Sequence, residues 1–439
     1  MIVFYLLAAV LLGILIMVHE LGHFLACKAV GVRVERFSIG FGPRLLKTQR
    51  GDTEYALSLI PLGGYVKMGG AEPTPDGEIP DLGPDAYLSK PIGLRAVIVA
   101  AGPLTNLLLG FVVTFLVLWI AGLPTLGAPV VGSVEPDSPA AVSGIVADDV
   151  IQSVDGEPVE SWNDVQSAFD ASGGTVELTV RRGGSRVTIP LDLQGPEGEP
   201  LDLGLTPFVP AVVGDVMSGS PADRAGLEPG DRLVRIEGQE VRTWNDVGDI
   251  IYERPNEETL VEWFRDGETM SATIVPEVGE ELFGDNEVRE VGLIGIMREW
   301  DVEPLPFGEA IVSGLRLTRT YAVMLVQALG YAVGELGRGR VPSDVLGGPV
   351  RVVQMATESA RWGGSYFFGF MALLSVNLCV INLLPLPILD GGHLLLLFIE
   401  KLRGRSLSER ALLIWQQIGL VFFISLTIAL LYMDLSRGA

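Results

Sequence analysis

The chain has 439 residues, 48% of them hydrophobic and only 19% charged, with a mean hydropathy of +0.40 and a formal net charge of −23. A single water-soluble globule of this length carries more charge and less apolar bulk, so the apolar residues belong in membrane spans. The negative charge excludes a nucleic-acid partner, which requires a basic surface, and two cysteines, Cys27 and Cys379, supply neither a disulfide framework nor a cysteine-rich metal site.

Four stretches are apolar over the roughly 20 residues that a bilayer requires: Ile2 to about Ala26, about Leu94 to Ile120, Phe367 to about Leu384, and Ala411 to Tyr432. The first lacks a basic segment ahead of it, and Phe24-Leu25-Ala26 is a poor lipoprotein box before Cys27, so it is expected to remain as a span. It contains His19-Glu20-Leu21-Gly22-His23, with two of the three histidines in the chain. On a helix, positions four apart share a face, so both imidazoles reach one metal ion while Glu20 stands beside it to take a proton from water. Ionisable groups inside a span are costly and mark function. Zinc is the expected metal, because it acidifies bound water and polarises a carbonyl.

A basic loop (Lys28, Arg33, Arg36, Arg44, Lys47, Arg50) follows, then a β-like run through Gly63-Gly64-Tyr65, then the second span. From Ala121 to Leu305 the chain carries 37 acidic and 11 basic residues, a net of −26, against +3 for the rest. This acidic middle repeats itself at a shift of 82 positions: Ser138-Pro139-Ala140 meets Ser220-Pro221-Ala222, Asp149 meets Asp231, and Trp162-Asn163-Asp164-Val165 meets Trp244-Asn245-Asp246-Val247. Each copy, about 85 residues long, is expected to be a small β-rich domain. The run Ala225 to Asp231, with Ile236-x-Gly238 and Trp-Asn-Asp after it, resembles bacterial PDZ domains. Such domains bind peptide termini by strand addition, and a spacer or steric filter is the equal alternative.

Phe307 to Glu335 is interrupted by Arg316 and Arg319 and reads as an amphipathic helix on the outer membrane surface. The third span ends in Asn382-Leu-Leu-Pro385-Leu-Pro387-Ile-Leu-Asp390-Gly391-Gly392-His393. A catalytic zinc needs a third protein ligand, and both Asp390 and His393 qualify; spacing does not choose between them. The positive-inside rule places the basic loop and Lys401 to Arg410 in the cytoplasm. His19, ~27 Å along the first helix, and Asp390 then meet at one depth near the cytoplasmic side, with the acidic repeats outside.

These motifs in this order resemble the site-2 protease family of intramembrane zinc metalloproteases, in its bacterial form with tandem PDZ domains. The likeness extends to Phe37 to Pro43, Pro61 to Lys67, Ala101-Gly102-Pro103 with Asn106, and Leu346-Gly347-Gly348-Pro349. It implies that His19, His23 and Asp390 bind Zn2+, that Glu20 is the general base, and that Asn382 helps to hold the substrate. It also implies that Gly63, Gly64 and Tyr65 lie in a membrane-re-entrant β-loop that pairs with substrate, and that His393 is not a ligand.

The expectation is a polytopic α-helical membrane protein with four transmembrane helices and two inserted α+β PDZ-like domains. Its segments are 1–122 (two spans and the β-loop), 123–208 and 209–300 (the PDZ-like copies), 301–365 (the amphipathic connector) and 366–439 (the last two spans). It would reside in a bacterial cytoplasmic membrane and cleave transmembrane segments of pre-trimmed single-span proteins, such as an anti-sigma factor, or remnant signal peptides. The lipid bilayer is the other expected partner, with peptide termini possible at the PDZ copies. The rival is a PDZ-bearing scaffold or quality-control adaptor that keeps a vestigial metal site.

Overall fold

Apolar residues, interrupted by charged side chains at Glu20 and Lys28, wind into one long helix, α1 (Ile2–Val30), which stops at Gly31, in the left-handed region at φ 73°. The computed structural model describes residues 2–70, 83–125, 127–194, 202–283, 287–338, 347–405 and 407–437, so Leu346 of the Leu-Gly-Gly-Pro stretch lies outside the described residues.

After α1 come β1 (Val34–Arg50) and β2 (Thr53–Met68). Each is bent, and together they make four lanes, antiparallel except where Arg36 to Ile39 runs parallel to Glu54 to Leu57. The lane Val34 to Ile39 pairs on one side with Gly64 to Met68 and on the other with Glu54 to Leu57, while Arg44 to Arg50 pairs back on Thr53 to Ser58. The bends fall at Gly40, Gly42 and Gly63, with φ of 86°, 87° and 123°, where a side chain would be strained. Gly64 to Met68 is therefore an edge lane. The sheet is held against α1 by Phe24, whose ring meets those of Phe37 and Tyr55. Next is α2 (Ile92–Ile120).

The chain divides into two units, Met1–Ile120 with Leu305–Ala439, and Ala121–Pro304. In the second unit the duplication read from the sequence recurs in the topology, with one hairpin, 277–283 with 287–293, added in the second copy. The first copy holds α3 (Pro139–Val142) and α4 (Trp162–Ala171), the second α5 (Pro221–Ala225) and α6 (Trp244–Tyr252). Each has a four-stranded antiparallel sheet of the same order: 157–158, 150–154, 175–182, 185–192 in one and 239–240, 232–236, 259–265, 268–274 in the other. The strand pairs 131–134 with 205–207 and 213–216 with 296–298 match as well. Equivalent residues do equivalent work. Ser161 and Thr243 close capping boxes with Asp164 and Asp246. The fully buried carboxylates of Asp149 and Asp231 are each gripped by two nitrogens of an arginine, Arg182 and Arg265. Leu123–Thr125 pairs with Asp301–Glu303, so this unit begins and ends on one short ribbon.

The first unit continues with α7 (Phe307–Gly337), α8 (Pro349–Trp362), α9 (Gly364–Asn382), α10 (Asp390–Arg403) and α11 (Glu409–Arg437). Among the described residues, four helical segments are long and apolar enough to cross a membrane: Val3–Val30, Ile92–Ile120, Gly364–Asn382 and Arg410–Asp434. These are the four stretches picked out by hydropathy. The connector contains two helices rather than one: α7 packs on α2, with Gly314 against Phe115 and Phe307 edge-on to Phe115 and Trp119. Helix α8, whose charged face hid it from a hydropathy reading, packs on α1, α9 and α11. Leu11, Leu15, Val113, Met371 and Ala372 form the core between α1, α2 and α9.

Candidate metal centre

His19 and His23 share one face of α1, a turn apart, with Glu20 beside them, and Asp390 opens α10. The segment between α9 and α10 is set by its prolines and by the glycines after Asp390. A side chain at Gly391 would strike the carbonyls of Leu383 and Leu384, and one at Gly392 the carbonyl of Leu386. Ile388, two residues before Asp390, is held at φ 78°, a costly conformation for a β-branched residue and one concentrated at functional sites.

The result is a convergence of donor atoms. His19 Nε2 lies 3.0 Å from Asp390 Oδ2, His23 Nε2 lies 3.5 Å from the same oxygen, and the two Nε2 atoms are 3.2 Å apart. Ligand atoms ~2.0–2.1 Å from a tetrahedral zinc stand ~3.3 Å from one another, which these three edges bracket. Asp390 Oδ2 is buried and makes no hydrogen bond, as suits a lone pair reserved for a cation. Two imidazoles and a carboxylate are also a donor set that zinc favours, so the residues fit the metal. The cluster of His19, His23 and Asp390 does not include His393, which lies a turn along α10 and lines the same cavity.

That cavity, of about 1040 Å³, is lined by Glu20, Gly63, Gly64, Tyr65 and Asn382 together with the three donors. Every residue that the sequence suggested for the metal site or the substrate strand thus lines one chamber. Gly64 approaches most closely: a Cβ there would lie 3.4 Å from Glu20 Cγ and 2.7 Å from the Ser38 carbonyl. Tyr65 is steadied by Arg36 Nη1, which donates to its hydroxyl at 3.1 Å.

Sequence reading missed the contribution of α2. His23 Nδ1 donates to the Ile98 carbonyl at 2.8 Å, which turns Nε2 toward Asp390. Gly102, a turn on, leaves room for both rings: a Cβ there would strike His23 Nε2 and lie 2.8 Å from His19 Nε2. Asn106, after one more turn, meets His19 Nδ1 at 3.4 Å. At the other end of this stripe Arg95 Nη2 donates to Glu400 Oε1 of α10 at 2.7 Å, a pair that is mostly buried. Thr105 Oγ1 reaches the Val18 carbonyl of α1 at 3.1 Å, and Gly22 fits directly under Thr105 and Ala101. The available signal was Gly102-x-x-x-Asn106: a glycine and a lone amide one turn apart in an otherwise apolar span.

Known proteins match this chain over nearly its whole length. The model of peptidase family M50 matches residues 7–426. Protease RseP of Yersinia pestis is 37% identical, over 98% of this chain and 97% of its own. The regulator of sigma-E protease RseP of Escherichia coli is 38% identical over the same shares. Among solved structures, the PDZ domain of an SdrC-like protein from Listeria monocytogenes is 16% identical over 21% of this chain and 90% of its own, with a TM-score of 0.17; the PDZ-like description of the repeats rests on their own strands and sequence. With the family matched from the first span to the last, this chain belongs to peptidase family M50, the site-2 proteases, zinc metalloproteases that cut within the membrane.

Proposed function

We propose that His19, His23 and Asp390 hold the zinc of this intramembrane endopeptidase and that Glu20 is its general base. The observation that carries this reading is the convergence of the three donor atoms within 4.8 Å of one another, next to Glu20 and among membrane-type helices. Bound zinc supplies a Lewis acid that polarises the scissile carbonyl and acidifies the attacking water. Glu20 takes the proton of that water as its oxygen joins the carbonyl carbon, and returns it to the departing amide nitrogen.

A transmembrane helix hides its peptide bonds, so the substrate must unwind and its freed backbone groups need partners in an apolar chamber. The edge lane beginning at Gly64, which lines the cavity through Gly63, Gly64 and Tyr65, offers them by strand addition, and Asn382 fixes the strand from the opposite side. His393 shapes the cavity without binding the metal.

The substrates are single-span membrane proteins already trimmed by another protease. Several relatives are named for regulation of sigma-E, which favours a membrane-bound anti-sigma factor in an envelope stress response. The enzyme resides in a bacterial cytoplasmic membrane, with the zinc near the cytoplasmic face. The acidic PDZ-like pair, 123–208 and 209–300, lies outside and screens what enters.

The test is a purified, detergent-solubilised protein assayed for zinc stoichiometry and for cleavage of a single-span test substrate. One zinc per chain, and a fall in turnover of about 10²–10⁴-fold in Glu20→Gln with zinc retained, are expected. Absence of zinc, or unchanged cleavage by Glu20→Gln, would overturn the assignment and favour a scaffold.

A further inference from the structure

We infer that Asn106 is a positioning residue for His19: its side-chain oxygen accepts the Nδ1 proton of the imidazole and so fixes the tautomer whose Nε2 faces the metal. The inference rests on the reading of His19 as a ligand.

Asn106 is fully buried in the middle of an apolar span, an expensive place for an amide without a polar task. Its backbone is already committed, the carbonyl accepting from Ser375 Oγ of α9 at 2.7 Å. Among the described residues the side chain reaches one polar group, His19 Nδ1 at 3.4 Å, through its nitrogen, and Oδ1 is left buried with no partner. An amide nitrogen against Nδ1 suits a ring whose proton sits on Nε2, and such a ring has no lone pair at Nε2 to give a metal. A ring that offers Nε2 to a metal carries its proton on Nδ1 and needs an acceptor there. A half-turn of the amide exchanges its two ends in the same space. It places Oδ1 against Nδ1 and gives the orphaned oxygen the donor it lacks.

His23 provides the parallel. Its Nδ1 already donates to a fixed acceptor, the Ile98 carbonyl at 2.8 Å. Ile98, Gly102 and Asn106 are spaced by four along α2, so one stripe of one helix orients the first imidazole, leaves room for both, and orients the second. The histidine held by a main-chain carbonyl keeps its acceptor whatever side chain stands at position 98. The one held by Asn106 depends on the side chain at 106.

The experiment measures zinc affinity by chelator competition on the full-length protein in detergent, for the wild type and for Asn106→Leu, Asn106→Ala, Asn106→Asp and His19→Ala. Loss of an outer partner of a ligating histidine weakens metal binding about 10–100-fold. Asn106→Leu is expected to fall in that range, with Asn106→Ala taking its place should the leucine variant fail to fold. Asn106→Asp keeps an acceptor and is expected within about 3-fold of wild type on that same scale. A role confined to helix packing would weaken the aspartate variant as much as the others, and this overturns the inference. So does wild-type affinity in Asn106→Leu or Asn106→Ala while His19→Ala loses zinc, a result that leaves the ligand assignment intact. Zinc retained by His19→Ala overturns that assignment and the inference with it.

Discussion

The backbone carbonyl of Ile98 in α2 accepts the Nδ1 proton of His23 in α1 at 2.8 Å, joining positions 75 apart in the chain. A main-chain acceptor survives any side-chain substitution at 98, so the vulnerable point of this contact is the distance between the helices, and Gly102 sets it. A methyl at 102 would occupy the space of His23 Nε2 and press on His19 Nε2, 2.8 Å away. Gly102→Ala is expected to reduce zinc affinity at least 10-fold, as loss of a ligand's support does, and turnover in step with it. Membrane insertion and elution as a folded species should be preserved. Zinc content after dialysis against a chelator, beside size-exclusion behaviour, checks this.

The same helix is tied to α10, which begins at the proposed third ligand, Asp390. Arg95 Nη2 donates to Glu400 Oε1 at 2.7 Å, and Glu400 is on α10, the helix that starts at Asp390. Removing one partner of a mostly buried pair leaves the other charge poorly compensated. Arg95→Ala and Glu400→Ala are each expected to destabilise the chain, and their combination to cost less than the sum. The coupling should be about 0.5–3 kcal/mol in thermal unfolding in detergent. Since both single changes free α10, both should also weaken zinc binding. Additive stability effects with unchanged zinc affinity would show that the pair does not steady Asp390.

The spans and the duplication were legible because they depend on composition and on self-similarity, which a single sequence displays directly. The metal motif was legible for a different reason: one helical turn brings i and i+4 together wherever the helix lies. What spacing left open was Asp390 against His393, three residues apart on one helix, because the choice depends on how α10 starts. Gly391 and Gly392 allow the carbonyls of Leu383, Leu384 and Leu386 to close over that start, and Asp390 then turns toward α1. The sheet was harder. A β-like run was visible, but Val34 to Ile39 is paired on both sides, and that register is decided by bends at Gly40, Gly42 and Gly63 rather than by alternation. Ile98 could not be read at all, because its part is played by a backbone atom.

In the acidic unit the electrostatics are local and testable by pH. The Ser161 backbone N–H donates to Asp164 at 2.8 Å, its hydroxyl at 2.9 Å and the Glu160 N–H at 3.1 Å. These bonds hold the Asp164 carboxyl below the usual carboxylate range. The folded pKa is thus lower than the unfolded value of ~3.9. The stabilisation is fully present above that value and is lost as pH falls through the depressed one. Amide protection in the first turn of α4 is expected to be flat from neutral pH to about pH 4 and to decline below it. In Asp164→Asn protection should be weaker and free of this acid dependence. Hydrogen exchange followed by mass spectrometry, corrected for intrinsic rates, reads both.

Gly64 stands between the proposed substrate edge and the donor cluster. It begins the lane that lines the cavity, and a Cβ there would lie 2.7 Å from the Ser38 carbonyl and 3.4 Å from Glu20 Cγ. The first contact is too close to persist, so a methyl must push the edge lane away from Val34 to Ile39 or drive the chain toward Glu20. Neither motion touches His19, His23 or Asp390. Gly64→Ala is therefore expected to keep wild-type zinc affinity while losing cleavage, with a rise in KM where the edge has shifted and a fall in kcat where Glu20 has been displaced. Gly102→Ala should show the reverse priority, with zinc weakened first. The comparison has force because both substitutions add one methyl to a glycine of the same chamber. If Gly64→Ala stripped zinc as readily as Gly102→Ala, the edge lane would belong to the metal cradle and not to the recognition of substrate.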